Sequence, residues 1–252
     1  MLELRNVTSG YHNQPVLNKI SLRLEPGQLT VLIGPNGCGK STLLKTAIGL
    51  MPKQCGEILL DGVPLENLSG KEVARRVSYL SQSRTVPDIT VEKLVLHGRF
   101  PYLSYPRRYS AEDHRLVCQV MAQVGLTELA NQSMQQLSGG QRQQAYVAMA
   151  LAQDCDTVLM DEPTTYLDIA HQLRLIHLTR QLTEQGKAVV LVLHDLPLAL
   201  KAADRVVVMQ DGEIRRTGTP EQIQQSDVIS QVFGVQLHAT ETVAGTNYFC
   251  VL

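Results

Sequence analysis

The chain has 252 residues, 44% hydrophobic and 19% charged, with a formal net charge of −1. That length and apolar content suit one large α/β domain, or one domain with a small subdomain, and exclude global disorder. The near-neutral charge gives no field to attract nucleic acid or anionic lipid, and 4% aromatics without Trp leave few base-stacking platforms.

In chain order, residues 2–7 and 20–24 alternate apolar and polar positions, as half-buried antiparallel strands do. Pro26-Gly27 reads as a turn. Residues 29–33 form a continuous apolar run that stops at Gly34, the pattern of a fully buried strand. A helix is expected over 40–50, then strands over 57–60 and 77–80. From about 88 to 153 strand-like runs vanish and helical spacing takes over, with Val91, Leu94 and Val95 on one face and Leu116, Val120 and Val124 on another. This reads as a helical subdomain inserted in an α/β core, with a proline-containing loop over 98–109. From residue 157 strand and helix alternate again (157–160, 169–184, 188–193, 196–202), which implies parallel pairing. Residues 205–209 and 213–217, joined by Asp211-Gly212, read as a hairpin. Thr219 and Pro220 open a further helix. Residues 235–252 carry no clear signal and are expected to be a tail beyond one domain of residues 1–234.

No apolar run reaches the roughly 18 residues of a membrane span, and the N-terminus lacks a signal-peptide pattern, so a cytosolic chain is expected. The five cysteines (38, 55, 118, 155 and 250) have no CxxC spacing and read as free thiols. The seven histidines, His97 and His171 among them, show no metal-ligand spacing on a shared element.

The chemistry concentrates in short strings. Gly34-Pro35-Asn36-Gly37-Cys38-Gly39-Lys40-Ser41 follows a buried strand and opens a helix. Glycines there allow successive N–H groups to turn inward onto phosphate oxygens, and the helix N-terminus adds its dipole. Lys40 is placed to bridge β- and γ-phosphates, Ser41 to ligand Mg²⁺, and Thr42 to reach an α-phosphate. Asp161 and Glu162 put two carboxylates at the end of a buried strand. In Leu137-Ser138-Gly139-Gly140-Gln141, Ser138 can cap a helix whose bare N–H groups would face a phosphate, and Gly139 and Gly140 allow close approach.

Together, in this order, these strings resemble the nucleotide-binding subunit of an ATP-binding cassette (ABC) transporter, over about residues 2–234. The resemblance implies a P-loop NTPase core (a mixed sheet with helices plus an antiparallel β subdomain) with an inserted α-helical subdomain. It implies ATP and Mg²⁺ as cofactors. Asp161 resembles the aspartate that holds Mg²⁺, Glu162 the catalytic glutamate, and His194 the switch histidine at the γ-phosphate. Gln82 resembles the glutamine that approaches Mg²⁺ and water, and Tyr11 the aromatic residue that stacks on adenine. Ser138 to Gln141 resembles the signature motif, which completes the site of a second subunit. Asp168 resembles the D-loop aspartate, although Thr165-Tyr166-Leu167-Asp168 departs from the frequent Ser-Ala-Leu-Asp.

Residues 163–172 and 97–102 resemble the ATPases of bacterial iron–siderophore, haem and vitamin B12 importers. That implies an ATP-sandwich homodimer on the cytoplasmic face of the membrane. A separate integral-membrane permease would be contacted near residues 82–90 and 98–109. An extracytoplasmic binding protein would deliver the cargo, and no nucleic acid is involved. Ferric siderophore-type chelates are the leading cargo. Cobalamin, haem, an exporter, and a non-transport ABC ATPase stay open as alternatives.

Overall fold

The computed structural model describes residues 1–11, 14–82, 85–242 and 245–251. It begins with an antiparallel pair, β1 (Leu2–Tyr11) and β2 (Gln14–Leu24), followed by β3 (Leu29–Ile33) and α1 (Lys40–Ala47). The helix is shorter than the expected 40–50, because Gly49 takes φ +77° and ends it. Next come β4 (Lys53–Leu60), β5 (Val63–Pro64), α2 (Gly70–Ala74) and β6 (Val77–Leu80). The helical stretch holds α3 (Val91–His97), α4 (Ala111–Gln123) and α5 (Gly139–Ala152), with a short 3₁₀ turn at Phe100–Tyr102 inside the 98–109 loop. Alternation resumes with β7 (Thr157–Asp161), α6 (Ile169–Glu184), β8 (Ala188–Val192) and α7 (Leu196–Ala202). The chain closes with β9 (Arg205–Gln210), β10 (Glu213–Gly218), α8 (Pro220–Gln224), α9 (Val228–Phe233), β11 (Gln236–Thr242) and β12 (Gly245–Val251).

One sheet has the order β10-β9-β3-β8-β7-β6, parallel from β9 to β6 with β10 antiparallel at its edge. A second, antiparallel sheet has the order β2-β1-β4-β5. The parallel strands are buried on both faces, which explains their unbroken apolar runs. Leu29, Val31, Ile33, Val158, Met160, Val189 and Leu191 face a core shared with α3, α4, α5 and α7. Their alternates Leu32, Leu159, Val190, Val192 and Val207 face α1 and the antiparallel sheet. A one-residue slip of any strand would exchange these faces, so the register is firmly fixed.

The Asp211-Gly212 turn has both residues at positive φ and joins Gln210 to Glu213, a two-residue hairpin as expected. Within the region with no sequence signal, 235–252, the described residues form a paired antiparallel ladder. β11 pairs with β12, and Tyr248, Leu237 and Cys250 pack into the core beside α7. Its strands carry mostly small and polar residues, so the packing that stabilises them is visible only in three dimensions. Among the described residues, no helix is long and apolar enough to cross a membrane.

Candidate nucleotide-binding site

The loop from Gly34 to Gly39 joins the buried strand β3 to α1 at the carboxyl end of the parallel sheet, where open α/β sheets bind ligands. Two glycines are required by geometry. A Cβ on Gly34 would stand 2.3 Å from the Met209 carbonyl oxygen and 2.7 Å from the Cys38 sulfur. Gly39 has φ +105°, which side chains rarely adopt, and is packed against Leu17. The Lys40 ammonium is buried and donates to the carbonyls of Gly34 (2.7 Å) and Pro35 (2.9 Å), holding the loop closed upon itself. Burial pushes the Cys38 thiol up from its ordinary value despite the nearby Lys40, so it is a small packing residue and a poor nucleophile.

A cavity of about 300 Å³ opens above this loop, lined by Asn36, Gly37, Gly39, Lys40, Ser41, Thr42, Gln82, Glu162, His194 and Val16. The structure thus brings the loop, the strand-end glutamate, Gln82 and the histidine to one place. Glu162 follows β7 with φ +52°, an uncommon conformation for a non-glycine residue. That turn aims its carboxylate at the cavity, where Oε1 lies 2.5 Å from Nε2 of His194. His194 itself sits between β8 and α7, which Asp195 caps by accepting from the Leu198 N–H (2.8 Å).

Asp161 is the last residue of β7 and is 1% exposed. Burial pushes its pKa up, the adjacent Glu162 adds to this, and Ser41, Lys45 and Tyr79 oppose it. The Tyr79 hydroxyl donates to Oδ2 (3.4 Å), whereas Oδ1 is buried with no hydrogen-bond partner. An orphaned carboxylate oxygen on a carboxylate that also meets the Ser41 hydroxyl gives hard oxygen donors, which fit Mg²⁺. Among the described residues there is no cluster of three or more His, Cys, Asp or Glu able to hold a metal by themselves.

Other expected residues lie elsewhere. Ser138 caps α5 as anticipated: its hydroxyl accepts from the Gln141 N–H (3.3 Å), and the Gln141 side chain accepts from the Ser138 N–H (2.9 Å). With Gly140, Tyr166 and Asp168 these residues line a separate cavity of about 490 Å³, not the P-loop cavity. A Cβ on Gly139 or Gly140 would make only ordinary contacts within the chain, so the fold itself does not explain these glycines. Asp168 caps α6, accepting from the His171 N–H (2.8 Å), with His171 Nδ1 2.7 Å away; these hydrogen bonds lower its pKa. Tyr11 is half-exposed at the end of β1, opposite Gln14, and does not line the P-loop cavity; Val16 does.

Three contributors carried no sequence signal of their own. Val16 is one. The Gln143 side chain donates to the Pro163 carbonyl (2.7 Å) and pins the turn after Glu162. The Tyr146 hydroxyl donates to the Thr85 carbonyl (2.8 Å) and tethers the segment after Gln82. Polar groups on the core side of α5 were the only available hint.

Known proteins agree with this arrangement. The sequence model of the family described as "ABC transporter" matches residues 17–165. The chain is 42% identical over 243 residues to the ferric enterobactin transport ATP-binding protein FepC of Escherichia coli K12, covering 95% of this chain and 90% of that one. Among solved structures, it is similar to a chain of a metal-chelate-type ABC transporter in an inward-facing conformation. The TM-score there is 0.84 at 25% identity, over 99% of this chain and 96% of that one. It is also similar to the bacterial cassette MJ0796 in its dimeric structure, with a TM-score of 0.78 at 28% identity over 87% and 99% of the two chains. A phosphate loop, a strand-end Asp-Glu pair, a cavity-facing histidine and a capped signature helix thus occur together on the cassette fold, and the chain belongs to the ABC transporter family as an ATP-binding, ATP-hydrolysing subunit.

Proposed function

We propose that this ATPase powers a bacterial importer of ferric siderophore-type iron chelates from the cytoplasmic face of the membrane. The observation that carries this reading is the 42% identity, across 95% of the chain, to a ferric enterobactin transport subunit. The strings at 97–102 and 163–172, which resemble iron-chelate importer ATPases, support it.

In this reading two copies bind head to tail around two nucleotides. Each site takes its phosphate loop, Gln82, Asp161, Glu162 and His194 from one copy, and Ser138, Gly139, Gly140 and Gln141 from the other. The separate signature cavity and the signature glycines with no intrachain purpose favour such a division. Backbone N–H groups of the loop cradle the phosphates. Lys40 moves its ammonium from the Gly34 and Pro35 carbonyls to the β- and γ-phosphates. Ser41, Asp161 and Gln82 would hold Mg²⁺, which would supply neutralisation of the phosphate charge. Glu162 takes the proton of the attacking water, and His194, in contact with it, keeps its carboxylate aimed at the γ-phosphate. Tyr11, outside the P-loop cavity at the end of β1, covers adenine extending beyond it, and Asp168 lies at the contact between copies. Closure and opening of the pair act on a separate permease through the segments 82–90 and 98–109, of which residues 83 and 84 lie outside the described residues. Nucleotide thereby acts through its different affinity for closed and open states. A binding protein outside the membrane presents the chelate.

The test is uptake of labelled ferric siderophore and labelled cobalamin in a host lacking its own copy, carrying either the natural chain or Glu162→Gln. Loss of ferric chelate uptake alone, with phosphate release down at least a hundredfold, is expected. Loss of cobalamin uptake alone would change the cargo. Equal phosphate release from the two proteins would remove Glu162 as the base.

A further inference from the structure

The side chain of His194 is half-exposed, yet it meets Glu162 directly. Its backbone leaves the end of β8 and enters α7, a helix of only seven residues that Asp195 caps. A helix this short is not stable alone, so what packs on α7 decides where it lies. The strands against it are β3 and β12. β12 runs antiparallel to the helix. At the last turn of α7, Lys201 Nζ donates to Asn247 Oδ1 (2.7 Å). Three residues later stands Cys250. Burial pushes its thiol up and the Asp195 carboxylate adds to this, which puts Cys250 beside the first turn of the helix. Three strand residues cover about 10 Å and six helical residues about 9 Å, so strand and helix match from end to end. Between these two points Tyr248 is buried in the cluster that holds Leu196, Ala199 and Leu200 of α7. The next residue, Phe249, points the other way, half-exposed and stacked on His238.

We infer that Tyr248 and Cys250 of the terminal strand are positioning residues for ATP hydrolysis: by holding α7 they fix the reach of His194 to Glu162. The inference rests on the part given to His194 above. β8 fixes the histidine from one side, through the buried Leu193, and α7 fixes it from the other. A two-stranded ladder is itself marginal in water, so β11 and β12 owe their order to α7 and α7 owes its place to them. Displacing a reacting group by about 1 Å can cost on the order of a hundredfold in rate, so a small relaxation of α7 is enough to be seen. The phosphate loop, by contrast, is carried by β3 and α1. Loosening β12 therefore acts on turnover and leaves nucleotide binding in place.

The test is phosphate release by the full chain, read as kcat and KM for Mg²⁺-ATP, in a double-mutant cycle with His194→Ala. The His194→Ala proteins are assayed at concentrations that resolve their residual rate. The variants are Tyr248→Ala with Cys250→Ala, Cys250→Ala alone as the gentler change should the pair not fold, Tyr248→Phe as the conservative replacement, and Phe249→Thr on the outward face. Melting curves and binding of a fluorescent ATP analogue show that each is folded. We expect the pair to lower kcat at least about fivefold and Cys250→Ala alone about twofold, with KM nearly unchanged. Tyr248→Phe should restore kcat, and Phe249→Thr should not alter it. In the His194→Ala background none of the variants should lower kcat further. An unchanged kcat in the folded variants overturns the inference. So does the same fractional loss with and without His194, because β12 would then act through stability alone. If His194→Ala by itself leaves phosphate release unchanged, the role of the histidine fails and the inference falls with it.

Discussion

At the scale of single residues, the site shows function opposing stability. Asp161 is buried beside Glu162 with one oxygen unpartnered, and burial raises its pKa from its ordinary value. A group whose folded pKa is raised contributes its stability below the unfolded value and loses it as pH rises through the folded value. At neutral pH the nucleotide-free fold therefore carries the cost of an ionised, poorly solvated carboxylate. Asp161→Asn removes that charge with the same shape. We expect it to raise the melting temperature of the nucleotide-free protein by about 2–4 °C, corresponding to about 1 kcal/mol, and to abolish hydrolysis. Calorimetry with and without Mg²⁺-ATP checks both halves. Mg²⁺-ATP should stabilise the natural chain more than the variant, and a lower melting temperature for Asp161→Asn would show that the carboxylate is better satisfied than its geometry implies.

At the scale of elements, α5 links the helical region to the chemistry. Its N-terminus is closed by a reciprocal Ser138–Gln141 cap, its Gln143 holds the turn after Glu162, and its Tyr146 holds the segment after Gln82. One helix therefore holds two of the strand-end loops that contribute to the P-loop cavity, those after β6 and β7. The cap separates structure from function in a testable way. Aspartate caps a helix about as well as serine, so Ser138→Asp should alter stability by no more than about 0.5 kcal/mol. Its negative charge, however, would face a phosphate supplied across the contact. A loss of hydrolysis of at least tenfold with an unchanged melting temperature is the expected result of an ATPase assay and a thermal scan. Unchanged hydrolysis would remove the signature helix from the reaction.

At the scale of the whole molecule, the P-loop cavity and the signature cavity are lined by different residues of one chain. If each active site needs both, a single copy is incomplete. Phosphate release per molecule should then rise with protein concentration and fall on dilution, approaching second-order dependence below the dimer constant. A specific activity independent of concentration over a hundredfold range would mean that one copy suffices. The terminal ladder also belongs at this scale. β12 lies along α7, with Lys201 Nζ donating to Asn247 Oδ1 (2.7 Å), so the last strand supports the helix that follows His194.

The local sequence by itself determined the elements whose stability is local or whose burial is complete. The runs of β3, β7 and β8, the caps at Ser138 and Thr219, the Asp211-Gly212 turn and the phosphate loop were legible, because an unbroken apolar strand, a capping hydroxyl and a glycine turn each state their geometry in adjacent residues. Tertiary structure decided the rest. It placed Glu162 against His194, left Asp161 with an orphaned oxygen, brought Val16 instead of Tyr11 to the cavity wall, and formed a paired ladder from the weakly patterned last residues. None of these is written in neighbouring residues. Each depends on which side chains the parallel sheet brings together from distant parts of the chain, and on the packing that α7 offers to strands that would not be stable alone.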